Sequence, residues 1–262
     1  MVSVLREQFV EKLQRYYRHE KISVIDFDCP NLNKCADDAG GTLNHGAEAH
    51  VGTRYGEATR VAVLSLDTGW SSEDIEARTK TVESARIDST NPHMRGTIRF
   101  LTAILHFEIG ESSPIPYITM LNSAKCAINN NGMDKVPDSL HQRCRDFAVG
   151  ELDILRPALL WLQGSTVRWQ TCAGHVYDYP DLESAIESFL SRHSQSAAEL
   201  VRWILPIANR YIGIFKCGDW EIPVIITPHP SDRFGRWHLF EQTVMPIVAD
   251  LAIDLAGSVN HR

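Results

Sequence analysis

The sequence predicts an α/β protein with three layers, α/β/α, around a central and mostly parallel four-stranded sheet. Continuous apolar runs rich in β-branched residues alternate with stretches of helical periodicity along the chain, which is typical of a parallel sheet covered on both faces. No internal repeat, low-complexity tract or linker divides the 262 residues. We therefore expect one domain over residues 1–262, which is long enough to bury a sizeable core.

The composition is that of an ordinary soluble globular protein, with 44% hydrophobic and 23% charged residues. The formal net charge of -7 excludes a uniformly basic coat for nucleic acid but allows a local basic cleft. No apolar run approaches the ~20 residues of a membrane span, and the N-terminus lacks the core of a signal peptide. We expect a cytoplasmic monomer without a membrane partner.

The first half of the chain supplies two of the expected central strands. Apolar residues at helical spacing over residues 2–20 predict an opening helix, followed by an irregular surface wrap through residue 59. Residues 60–66 (RVAVLSL) predict the first buried strand. A helix over 98–108 precedes the second strand, residues 117–121.

The second half repeats the alternation. A helix with Cys144 near its start runs to about residue 155 and ends before a proline, and residues 158–162 (ALLWL) predict a third strand. Two further helices are expected within 182–211. The last strands are expected at 213–216 and 221–227, and a closing helix at 239–256.

Polar residues follow three of the predicted strands at the point where each ends. These residues are Asp67, Asn122 and His229. Because parallel strands bring their carboxyl ends to one edge, where open α/β sheets bind ligands, we expect the three to lie close together. Two simpler interpretations stay open: Asp67 as a helix cap, and His229 as part of a proline-rich turn that faces solvent.

The chain has six cysteines. In a cytosolic protein this number favours metal or cluster ligands plus buried thiols over a disulfide framework. Cys29 and Cys35 are predicted on a loop containing Pro and Asn, which would allow both sulfurs to turn toward one centre.

Four segments, in this order, resemble the uracil-DNA glycosylase superfamily, most closely its iron-sulfur branch, the family 4 enzymes. They are VLSLDTG, YITMLNSAKC, CRDFAVGELDILRPALLWLQG and TPHPSDRFGR. With the N-terminal cysteine loop, the resemblance covers most of the chain from Cys29 onward. It implies a DNA partner, a flipped pyrimidine as substrate and a 4Fe-4S cluster.

The resemblance also implies roles for individual residues. Asn122 would contact the edge of the flipped base, and His229 would lie against its O2, where negative charge develops. The remaining implied assignments are Thr68, Gly69, His93 and Met94 for substrate binding, Lys125, Ser231, Arg233 and Arg236 for DNA contact, and Cys29, Cys35, Cys126 and Cys144 for the cluster, with Cys172 and Cys217 in the core. A structural zinc ion with four cysteine ligands is the alternative to the cluster.

The sequence departs from the family pattern in several places. Asp67 stands where the most active relatives carry a water-activating Asp, and the chemistry supports that role, because a carboxylate can stabilise the cationic sugar and orient water. His93 and Met94 replace an expected aromatic residue in the base pocket. The first cysteine pair is more widely spaced than usual, and residues 175–218 are predicted to be a helical insertion.

These features predict a monofunctional DNA glycosylase that excises an altered pyrimidine, with uracil as the default base. One alternative is a glycosylase for a bulky modified cytosine of phage DNA, hydroxymethylated or glucosylated, acting in antiviral defence. A second alternative is an iron-sulfur DNA-binding module without catalytic activity, because a fold does not guarantee activity.

Overall fold

A computed structural model describes residues 4–66, 72–85, 90–128, 137–192 and 198–259. A twisted sheet is covered by helices on both faces, so the predicted three-layer α/β/α class is confirmed. Among the described residues, no helix is both long enough and apolar enough to cross a bilayer.

The strands are short, and three of the four central ones are buried along their whole length. They are β1 (Leu43–His45), β2 (His50–Val51), β3 (Val61–Ser65), β4 (Thr119–Asn122), β5 (Cys126–Ile128), β6 (Leu159–Gln163), β7 (Val176–Asp178), β8 (Ile212–Cys217) and β9 (Trp220–Thr227).

The helices account for most of the remaining chain. They are α1 (Val4–His19), α2 (Leu32–Ala39), α3 (Ile75–Glu83), α4 (Pro92–Ile109), α5 (Asp138–Arg143), α6 (Arg145–Leu155), α7 (Leu182–Arg192), α8 (Ala198–Tyr211), α9 (Arg236–Thr243) and α10 (Met245–Val259). A 3₁₀ turn lies at Ile115–Tyr117 and a π-helical turn at Val167–Thr171.

The main sheet has seven strands in the order β2-β4-β3-β6-β9-β8-β7. The four central strands, β4, β3, β6 and β9, are parallel to one another and correspond to the predicted four-stranded sheet. Three antiparallel strands extend it at the two edges: β8 corresponds to the strand expected at 213–216, whereas β2 and β7 are not among the predicted strands. A separate antiparallel pair joins β1 to β5.

The register aligns the carboxyl ends of the parallel strands. Ser65 pairs with Asn122, and Gln163 pairs with Thr227, so the last residues of all four strands lie along one edge. This edge carries the candidate site.

Successive side chains along each strand point to opposite faces of the sheet, so the core has two parts, one on each face. In β3, Val61 and Val63 pack into the layer formed largely by α4, α7, α8 and α10, whereas Ala62 and Leu64 pack against α1 and α6. Both faces are therefore apolar, which explains why the strands appear in sequence as continuous rather than alternating apolar runs.

Three local predictions need correction. Cys35 lies in helix α2, not in a loop. The predicted closing helix is two helices, α9 and α10, separated at Val244. The segment 175–218 contains α7 and α8 but also β7 and β8, which continue the sheet.

Candidate functional site

A cavity of about 410 Å³ opens at the carboxyl edge of β3 and β4. Its wall is formed by the ends of these strands, by α3, by the start of α4 and by the loop after β9. Five of the residues predicted for the site line it: His93, Met94, Asn122, His229 and Ser231. Asp67, Thr68 and Gly69 lie outside the described residues, and Leu66, directly before them, lines the cavity.

His229 is held in one tautomer by the residue two positions later. The backbone N–H of Ser231 donates to Nδ1 of His229 at 3.2 Å, and the Ser231 hydroxyl lies 2.8 Å from the same atom. Because a backbone N–H can only donate, Nδ1 is the acceptor and the ring proton is on Nε2. Burial, and then the neighbouring His93, lower the pKa of His229 to about 4. The ring is therefore neutral near pH 7 and can offer Nε2–H to a ligand in the cavity.

His93 stacks on His229 and is held in place by a hydrogen bond with Gln163, the last residue of β6. The ring centroids are 4.8 Å apart with an interplanar angle of 23°. Nε2 of His93 lies 2.7 Å from Oε1 of Gln163, which also accepts from the Ser65 hydroxyl at 2.5 Å. The Gln163 amide nitrogen donates to the Thr97 hydroxyl at 2.9 Å. Sequence reasoning missed Gln163, although its position at the end of the third central strand was a usable signal.

Asn122 is buried at the end of β4, with only 5% of its surface exposed. Its amide nitrogen donates to the carbonyl of Ala47 at 3.3 Å, and its backbone carbonyl accepts from Nζ of Lys125 at 2.7 Å. These contacts fix both the backbone and the side chain of Asn122 beside the cavity.

Lys125 does not fit the predicted role in DNA contact. The residue is buried, and its ammonium group pairs with Glu151 at 2.5 Å. Glu151 also accepts from the Tyr17 hydroxyl at 2.8 Å. A buried ammonium needs a charged partner, so Lys125 is committed to the interior, where it supports Asn122.

The loop after His229 carries the other residues predicted to contact DNA. Ser231, Arg233 and Arg236 are all exposed. Arg236 pairs with Asp232 through its guanidinium group and also lies 5.3 Å from the ring centroid of Phe234, which is 85% exposed.

The four cysteines of the predicted cluster come together although they lie far apart in sequence. Cys29, Cys35, Cys126 and Cys144 are all buried, and every pair among them interacts electrostatically. Burial, reinforced by the neighbouring thiols, raises the pKa of Cys29 and Cys126. It raises that of Cys144 to about 12.

Two N–H groups contact these sulfurs. The backbone N–H of Lys125 donates to Sγ of Cys144 at 3.4 Å, and the Arg143 guanidinium lies 3.8 Å from Sγ of Cys35. Such donors stabilise thiolates, and a bound cation would offset the repulsion among the four sulfurs. The donor set thus fits a 4Fe-4S cluster or a zinc ion. Within the described part of the chain, no three His, Cys, Asp or Glu side chains are already arranged as metal ligands.

A short hydrogen-bonded chain connects the cysteine region to the cavity. The Ser123 hydroxyl donates to the carbonyl of Leu66 at 2.6 Å and therefore accepts from Nδ1 of His141 at 2.7 Å. His141 lies on α5, which directly precedes Cys144. These hydrogen bonds therefore fix the position of the four cysteines relative to the end of β3.

Comparison with family models and with curated proteins gives no match for this chain.

Proposed function

We propose that this protein is a monofunctional DNA glycosylase that flips an altered pyrimidine out of DNA and hydrolyses its N-glycosidic bond. The observation that carries the proposal is the neutral His229, held with its proton on Nε2, beside Asn122 at the edge of one cavity. The proposed setting is a cytoplasmic, monomeric protein with DNA as its partner and four cysteines holding a cluster or a zinc ion.

The chemistry of base excision uses each of these groups. Cleavage of the bond leaves negative charge on the base, and an N–H donor at its oxygen stabilises that charge. A neutral imidazole protonated on Nε2 supplies this N–H while its Nδ1 stays the acceptor for the Ser231 N–H that holds the ring. The Asn122 amide has both a donor and an acceptor, as the edge of a pyrimidine requires. Asp67 would stabilise the cationic sugar and orient the attacking water.

The role of a cluster in this scheme is architectural. If present, it would neutralise the four thiolates and hold α2, the loop after Asn122 and the start of α6 together. The chain itself then transmits this rigidity to the cavity through Lys125, which contacts both Cys144 and Asn122.

The proposal is tested with oligonucleotides containing uracil, hypoxanthine, hydroxymethylcytosine or glucosylated hydroxymethylcytosine. We expect abasic product from at least one of the three modified pyrimidines, with the purine hypoxanthine as the comparison, and we expect Asp67→Ala and His229→Ala to abolish cleavage while DNA binding persists. His238→Ala is the matched control, because His238 is exposed on α9 and does not line the cavity. Undiminished cleavage by both site variants would contradict the assignment. DNA binding without cleavage of any substrate would favour the non-catalytic module.

One feature of the cavity favours the bulky modified cytosine as a second candidate substrate. The cavity volume lies within the range of about 300–1,000 Å³ that is typical of pockets for drug-sized ligands. Among the described residues that line it there is no Phe, Tyr or Trp, and α3 contributes the polar side chains of Arg78 and Thr81. This wall could hydrogen-bond a hydroxymethyl or sugar substituent, and the same oligonucleotides distinguish the two substrates.

A further inference from the structure

A second groove, of about 440 Å³, adjoins the candidate site, because Leu66 and His229 line both. Its other walls come from the segment after β6, which carries Arg168 and Trp169, and from the end of α8, which carries Arg210. Neither segment was assigned a role by the sequence motifs.

The groove is rich in guanidinium groups although the chain has a net charge of -7. Arg168, Arg210 and Arg236 all line it. Arg236 is paired with Asp232, whereas neither Arg168 nor Arg210 forms an ion pair with any residue that the structure describes. Two cations therefore remain available to bind a polyanion.

Trp169 presents a large aromatic surface at this groove. The residue is 61% exposed, and the Arg168 guanidinium lies 4.5 Å from its ring centroid. Trp169 belongs to the π-helical turn Val167–Thr171, a rare conformation that often occurs at functional sites. An exposed indole next to arginines is the combination that stacks unpaired bases in single-stranded nucleic acids.

We propose that this groove binds the nucleotide next to the flipped one on the same DNA strand. The unpaired base of this nucleotide stacks on Trp169, and the phosphate of the same nucleotide lies between Arg168 and Arg210. The protein accordingly prefers single-stranded to double-stranded DNA, because a paired base cannot lie flat on the indole. The identity of this nucleotide as the neighbour of a flipped one rests on the proposed function; the affinity of the groove for single strands does not.

The test measures binding of a fluorescent single-stranded oligothymidylate by anisotropy, which requires no catalysis. We expect Trp169→Ala to weaken binding by about tenfold, in line with the loss of one stacked base. We expect the double variant Arg168→Ala, Arg210→Ala to reduce the slope of log affinity against log salt by about 0.7, the value for one lost phosphate contact on a single strand. Trp203→Ala and Arg202→Ala are matched controls, since both residues are exposed on α8 and do not line the groove.

Wild-type affinity in Trp169→Ala, or an equal loss in Trp203→Ala, would overturn the proposal, as would an unchanged salt slope in the double arginine variant. If the same substitutions weakened binding of an acidic peptide but left the affinity for DNA unchanged, that result would also overturn the proposal. If the wild type excises no base but Trp169→Ala still loses single-strand affinity, only the proposed function fails. If the wild type excises a base and Trp169→Ala does so equally well at subsaturating substrate, only the groove proposal fails.

Discussion

The neutral state of His229 makes a quantitative prediction about acid tolerance. Burial and the adjacent His93 lower the pKa of His229 to about 4, against about 6.5 for an ordinary histidine. At pH 5.5 only about 3% of His229 would then be protonated, whereas an unperturbed histidine would be about nine-tenths protonated. Protonation of Nδ1 would remove the acceptor through which the Ser231 N–H holds the ring, so excision should depend on the neutral form and proceed at nearly its full rate at pH 5.5.

Two measurements check this value. The titration of the His229 ring is followed by NMR, with its signal assigned by comparison with His229→Gln, and the single-turnover rate is measured over the same pH range. The NMR titration is essential because aspartates ordinarily titrate at about 3.9, so the rate profile alone does not separate His229 from Asp67. His93→Gln should raise the pKa of His229, because it removes the second cause of the shift. A wild-type midpoint near 6.5 would refute the reasoning.

Three further predictions concern buried groups. Lys125→Met should lower the free energy of unfolding by about 3–5 kcal/mol, because it leaves the Glu151 carboxylate buried without a counterion. Adding Glu151→Leu should recover most of that loss, as measured by urea denaturation. A cost below about 1 kcal/mol for Lys125→Met alone would contradict the pairing. Burial lowers the pKa of His50 to about 3, so between about pH 6.5 and 3 the unfolded chain binds a proton that the folded protein does not, and stability falls as the pH falls. His50→Gln should flatten that dependence, and an unchanged slope would exclude His50 as its source. Cys126→Ser should abolish visible absorbance and metal content, whereas Cys172→Ser, at a buried thiol outside the group of four, should retain both; equal loss in both variants would count against the four-cysteine site.

Much of the fold could be predicted because its determinants are local. The central strands are continuous apolar runs, and a parallel sheet necessarily gathers their carboxyl ends. The convergence of Asn122 and His229 followed from this rule, and the register of β3, β4, β6 and β9 agrees with it. The antiparallel edge strands were harder to predict because strands as short as β2 and β7 carry little periodic signal.

The parts of the site that were missed depend on tertiary contacts. Lys125 looked like a surface cation because its partner, Glu151, lies on α6 and is distant in sequence. The support of His93 by Gln163 joins α4 to β6 and has no sequence motif. Arg168 and Trp169 have no recognisable motif in the sequence, and the groove that they line depends on their proximity to the end of α8 in the fold.

The most direct test of the central claim is mass spectrometry of the products formed from the modified oligonucleotides by wild type, His229→Ala and His238→Ala. We expect a free base and an abasic strand from at least one oligonucleotide with a modified pyrimidine for wild type and His238→Ala, and intact strands for His229→Ala. Intact strands from every oligonucleotide with folded wild-type protein, or equal product from His229→Ala, would contradict that claim.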